Sequence, residues 1–257
     1  MITRRLHLAP AAAGITVLGV WMMIGLFFLR VPGAPTLPFD WGGAATLIAA
    51  AALSAHSLYR SDRRFIWPML WILAVTAITE TAGIMTGLPF GHYHYLAAAG
   101  PLLPGGLPAA IPAAWLALML AAHTLLLGGR FPAWLQTIGV AAVMTGMDLA
   151  VDPIAVHRLS MWTWPDGGPF YGIPLQNFTG WFLVALVAAY PLSRSGIAAS
   201  PAGLPTAVGA LLMLFFCIAG AGSDLLLPSG IALGFAILLA LHAVRNGVDH
   251  PWVTFRT

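Results

Sequence analysis

The sequence predicts an all-α protein, a polytopic transmembrane helix bundle of about eight helices with both termini cytoplasmic. Three observations lead there. Hydrophobic residues make up 60% of the 257 positions, charged residues only 7%, and the mean hydropathy is +0.88. A soluble domain of this length needs more charge to cover its surface. Apolar runs close to the ~20 residues that cross ~30 Å of hydrocarbon recur along the chain. The 11 basic residues are all arginine, and they are shared unequally among the connections between those runs.

The runs fall at about 11–29, 42–59, 65–84, 108–127, 133–151, 177–193, 203–222 and 225–244. Only Gly222-Ser223-Asp224 separates the last two, which suits a tight helical hairpin; fusing them would leave seven spans. With eight spans, Arg4, Arg5, Arg60, Arg63, Arg64, Arg130, Arg194, Arg245 and Arg256 share one side, and Arg30 and Arg158 the other. The positive-inside rule makes the richer side, with both termini, cytoplasmic. The first run is as long as a full span and lacks a clean small-residue cleavage site, so it reads as a retained helix rather than a signal peptide. Arg4-Arg5 beside it reads as a topology determinant rather than a twin-arginine export signal. Cys217 is the lone cysteine and has no disulfide partner. A formal charge of +3 is too small and scattered for a nucleic-acid surface. No repeat of fixed period is visible, and residues 1–257 read as a single integral-membrane domain.

The connections 85–107 and 152–176 are the longest, and in this topology both face outward. Glu80, the sole glutamate, lies fifteen positions after Phe65, and Asp148 fifteen after Ala133. At ~1.5 Å per residue both acids lie roughly 22 Å into their spans, at one depth of the outer leaflet. Asp152 follows Asp148 by one helical turn and shares its face; Pro153 is then expected to end that helix. Asp152 can equally serve as a terminating or capping residue. Three acids are thus expected to converge on one pocket, with His92 and His94, just past the turn Gly87-Leu-Pro-Phe-Gly91, folded back over it. Ionisable groups inside a span mark functional sites by default. In the second connection Trp162, Trp164, Tyr171 and Trp181 can form an interfacial aromatic belt or, with the Gly/Pro-shaped turn, a stiff lid. Asn177 is expected to cap the sixth helix, which explains the Asn-Phe-Thr triplet without glycosylation.

Glu80, His92, His94, Asp148 and Asp152 include ligand types suited to zinc or iron, but His-x-His does not match the i, i+4 ligand pairs of helical metal sites, and no His-Glu-x-x-His occurs. No phosphate loop, dinucleotide fingerprint or aspartate-rich magnesium diphosphate motif is present either. No metal and no cofactor are therefore assigned. A pocket of acids, histidines and aromatics facing lipid suits a neutral apolar substrate. Acids kept from water favour their neutral form. Such an acid can protonate an alkene while aromatic faces stabilise the carbocation. Water capture then gives a tertiary alcohol, and proton loss an isomer or a ring.

Glu80-Thr-x-Gly-x-x-x-Gly-x-Pro-Phe-Gly-x-Tyr-x-Tyr95, Asp148-x-x-x-Asp-Pro153, Trp162-x-Trp164 and Tyr171-Gly-Ile-Pro-x-x-Asn177-x-x-Gly-Trp181 resemble the membrane-integral carotenoid 1,2-hydratases of the bisanhydrobacterioruberin hydratase and gamma-carotene 1',2'-hydratase type. The motifs span about residues 65–185, in the family's order; the flanking helices match in hydropathy only. The resemblance implies an enzyme of carotenoid biosynthesis in the cell membrane that adds water across the terminal 1,2 (1',2') double bond of an acyclic carotenoid end. It implies an apolar partner of the lycopene, gamma-carotene or C50 bisanhydrobacterioruberin type, the lipid bilayer around it, and other carotenoid-pathway enzymes beside it.

It implies no catalytic roles. From the residues themselves, the catalytic candidates are Glu80, Asp148, Asp152, His92 and His94. Asp148 or Glu80 would give the proton, and the other acid with His92 or His94 would position the water. Substrate-binding candidates are Tyr93, Tyr95, Trp162, Trp164, Tyr171, Asn177 and Trp181. Competing readings are a carotenoid or isoprenoid cyclase or isomerase, which needs the same acid in a drier pocket, and a non-catalytic carotenoid-binding protein or transporter with the acids as a proton relay.

Overall fold

The computed structural model describes residues 10–30, 41–126, 131–197, 203–222 and 224–247. Among these are α1 (Pro10–Arg30), α2 (Gly42–Ser61), α3 (Ile66–Thr86), α4 (Ala110–Leu126), α5 (Ala133–His157), α6 (Leu175–Arg194), α7 (Gly203–Gly220) and α8 (Leu226–Asn246). Six of the eight, all but α2 and α4, are long and apolar enough to cross a membrane. At 17 residues α4 is short, and the second half of α2 carries Ser54, His56, Ser57, Tyr59 and Arg60. The protein is a polytopic helical membrane protein, and α7 and α8 are separate helices that form its most extensive helix pair. The expected sidedness rests partly on Arg4, Arg5, Arg130 and Arg256, which lie outside the described residues.

In lipid, close packing of small residues rather than expulsion of water holds helices together. A Cβ on Gly209 would lie 2.6 Å from the Cβ of Ala121, so α7 meets α4 nearly backbone to backbone. Helix α4 is the central rod, packed by α2, α3, α5, α6 and α7. Its residues from Trp115 to Thr124 are buried without a break, which is why it is apolar on every side. Helix α1 packs on α2 and α7 at the margin.

Two features close the end of the bundle that holds the long connections. Helix α3 stops at Gly87, whose φ of +74° and N–H bond to Gly83 O (2.8 Å) make a glycine C-terminal turn. The connections then pair as two short antiparallel strands, β1 (His94–Tyr95) with β2 (Trp162–Thr163), in the register His94 with Thr163 and Tyr95 with Trp162. This small addition to an all-α chain ties the α3–α4 connection to the α5–α6 connection.

Two local expectations are corrected. Pro153 does not end α5, which continues to His157. Proline removes one N–H and one ladder bond, but the extra turn buries Ile154 and Ala155, with Ile154 packed against Gly220 of α7. Asp152 is accordingly inside the helix and neither caps nor terminates it. Asn177 is not the cap of α6 either: Pro174 occupies that position and Asn177 lies in the first turn. Its N–H is satisfied by Pro174 O at 3.0 Å, which leaves its side chain to point into the bundle.

Candidate active site

Glu80 lies on the face of α3 that also buries Thr76 and Gly83. Only 4% of it is exposed. Its carboxyl group is met by three donors from two other parts of the chain. The Tyr93 and Tyr95 hydroxyls each donate to Oε2 at 2.7 Å, and Trp115 Nε1 of α4 donates to Oε1 at 2.7 Å. The Tyr93 hydroxyl also lies 3.1 Å from the backbone carbonyl of Glu80. Burial, and then the neighbouring Glu80 charge, push both phenols well above the usual tyrosine range, so they remain O–H donors. Gly83 makes the approach possible, since a Cβ there would lie 2.7 Å from the Tyr93 oxygen.

The second polar cluster spans α5 and α6. Asp148 and Asp152 lie one turn apart, both buried. The Asn177 amide donates to Asp148 Oδ2 at 3.0 Å and also to Asp152 Oδ2. A primary amide has two hydrogens, so both are spent here. Asp148 Oδ1 is buried with no hydrogen-bond partner.

Glu80, Asp152 and Asn177 line one cavity. Its other walls are aromatic, chiefly Tyr93, Tyr95, Trp115, Trp162, Trp164 and Trp181, and aliphatic toward α2, α4 and α7, where Leu47, Leu118 and Leu212 face it. The space between these walls, counted out to the solvent at its mouth, is about 630 Å³. Trp115 and Trp181 stack at 4.0 Å, 20° from parallel, while Tyr95 meets Trp162 edge-on at 6.0 Å. Trp164 Nε1 donates to Phe90 O at 3.1 Å and pins the turn after α3.

Of the residues singled out in the sequence, Glu80, Tyr93, Tyr95, Asp152, Trp162, Trp164, Asn177 and Trp181 come together around the cavity. Asp148 stands behind, linked through Asn177. His92 and His94 do not fold over the pocket. Side chains alternate along an extended segment, and here Tyr93 and Tyr95 turn inward while both histidines are exposed. Tyr171 is also outside: its φ is +53°, its carbonyl meets His157 Nε2 at 2.8 Å, and its ring packs on Phe170.

Sequence reasoning missed Trp115, because α4 carries no acid to draw attention to it. The available signal was an indole N–H within a span, which needs a buried acceptor. Among the described residues, no group of three or more His, Cys, Asp or Glu side chains is arranged to hold a metal ion.

The profile of the family described as "Carotenoid biosynthesis protein" matches residues 41–241. The bisanhydrobacterioruberin hydratase of Haloarcula japonica is 30% identical over 181 residues, which cover 65% of this chain and 60% of that protein. The chain thus spans less than two thirds of the length of this curated relative. No solved structure matches. The family match takes in the whole cavity lining and leaves α1 outside. Because that match runs over more than half of the 257 residues, the chain belongs to the carotenoid biosynthesis protein family.

Proposed function

We propose that this protein is a carotenoid hydratase that adds water across the terminal 1,2 (1',2') double bond of an acyclic carotenoid end. The observation that carries the reading is the burial of carboxyl groups in a cavity whose walls are otherwise aromatic and aliphatic. The similarity to the bisanhydrobacterioruberin hydratase of Haloarcula japonica supports the same reaction class. Substrates of the lycopene, gamma-carotene or C50 bisanhydrobacterioruberin type would present an apolar isoprenoid end to those walls.

A carboxylic acid gives its proton to the CH carbon of the terminal double bond, and the π electrons form the new C–H bond. The cation at the dimethyl carbon meets the indole faces, which stabilise it. A water oxygen then bonds to that carbon, and the proton it sheds restores the acid. The sum is alkene plus water to tertiary alcohol. The same reading makes this a cell-membrane enzyme with cytoplasmic termini: Arg60, Arg194 and Arg245 lie in the last turns of α2, α6 and α8, at the end of the bundle away from the cavity, as the positive-inside rule asks.

The test is expression in bacterial hosts that accumulate lycopene or gamma-carotene, with pigments analysed by chromatography and mass, beside a Glu80→Ala/Asp148→Ala control. One water gained per reacted end, absent from the control, is the expected result. A changed pigment of unchanged mass would transfer the protein to the cyclases, and unchanged pigment in all hosts with protein in the membrane would reject the reading.

A further inference from the structure

We infer that the two buried acid systems divide the chemistry: Asp152, backed by Asp148 through Asn177, carries the proton, while Glu80 is a fixed anion that acts with Trp115 on the cation. This rests on the carbocation reading above and goes beyond it by assigning the acids.

The hydrogen bonds separate the two. Both Glu80 oxygens accept, and the Trp115 indole can only donate, so Oε1 turns a lone pair to it. Oε2 is occupied by two phenol hydroxyls. A carboxyl group surrounded by donors on both oxygens has no O–H turned toward a substrate, and charge-assisted bonds of this kind favour the anion. The aspartate cluster is built the opposite way. One amide supplies two hydrogens to two carboxyl groups, Asp152 also meets Trp162 and bonds directly to Asp148, and Asp148 Oδ1 has no donor. There a proton has an unoccupied oxygen to sit on. Asp152 faces the cavity and Asp148 does not, so the first can deliver and the second can resupply.

Trp115 links the anion to the reacting end. Its N–H points at Glu80 and its ring, stacked on Trp181, lines the cavity. Indole is the best side-chain face for a cation, and a carboxylate on its N–H raises the electron density of that face. The balance is complete: the proton leaves Asp152 for the alkene carbon, water bonds to the cation, and the proton released by that water returns to the aspartate pair. Glu80 gains and loses nothing.

The test uses the full chain purified in dodecyl maltoside and equilibrium binding of N,N-dimethyldodecylamine, whose protonated head mimics the cation, against dodecan-1-ol as neutral isostere. Wild type is expected to prefer the amine by at least about tenfold. Glu80→Gln is expected to abolish that preference and Asp152→Asn to keep it, while in pigment assays Asp152→Asn makes no product. A preference that survives Glu80→Gln, or is lost in Asp152→Asn, overturns the assignment. If Glu80→Gln does not accumulate in the membrane, Trp115→Phe, which keeps a ring and removes the N–H, is expected to reduce the preference; an unchanged preference there overturns it equally. The arms fail separately. Amine preference that follows Glu80 without hydration of any carotene supports the anion and rejects the hydratase, whereas hydration undiminished in Glu80→Gln keeps the hydratase and rejects the anion.

Discussion

The indole rings of Trp115 and Trp181 stack at 4.0 Å between centroids, and the same Trp115 donates its N–H to Glu80 at 2.7 Å. One side chain of α4 therefore joins α6 to the acid of α3. Trp181→Ala removes one half of the stack; by analogy with other buried aromatics it should cost about 3 kcal/mol of stability. Trp181→Phe should lose less than half of that. Thermal denaturation in detergent checks the order, and equal losses would show that the stack is not what Trp181 contributes.

The Asn177 side chain donates to both aspartates. Asn177→Leu takes one donor from each of two buried carboxyl groups, at a cost of about 1–3 kcal/mol. We expect hydration to fall at least a hundredfold, with a lower melting temperature. Product per unit of membrane protein is the measurement, and near-normal turnover would remove Asn177 from the site.

A methyl group at Gly83 would meet the Tyr93 oxygen at 2.7 Å and Phe90 at 3.1 Å. Gly83→Ala should therefore displace Tyr93 from Glu80 and lower turnover by about tenfold, on the scale of one lost charge-assisted bond. Gly234→Ala, with open space around its Cβ, is the matched control and should leave turnover unchanged. Equal behaviour of the two would refute the contact.

His92 and His94 lie on the outward face of their segment. The double change to alanine is expected to leave hydration within about twofold of wild type, as for surface substitutions generally. A hundredfold loss would return the histidines to the mechanism and require the segment to rearrange with substrate bound.

Leu212 enters the cavity from α7. Leu212→Trp should fill part of the space and cut conversion to below about a tenth, since overpacking a defined cavity excludes its occupant. Membrane levels of the variant should stay normal. Full conversion would mean that the isoprenoid end lies elsewhere in the cavity.

What the sequence determined alone is what depends on neighbours along the chain. Hydropathy over ~20 residues measures a local transfer free energy, so the eight helices could be read directly. The fixed rise per residue set the depth of Glu80 and Asp148, and the one-turn spacing put Asp148 and Asp152 on one face. Their approach to Asn177 followed only from packing.

The tertiary structure decided everything that depends on which face meets which. Alternation separates His92 and His94 from Tyr93 and Tyr95, but local chemistry does not say which pair turns inward; the buried Glu80 carboxyl group, thirteen residues before Tyr93, takes the phenols as donors. Pro153 stays helical because Ile154 is buried against Gly220, a contact across 66 residues (220 − 154). Trp115 carries one local mark, an indole N–H inside an apolar run, and nothing along the chain says which acceptor it meets. Its role exists because α4 runs through the middle of the bundle and brings one indole N–H beside an acid that has no water to turn to.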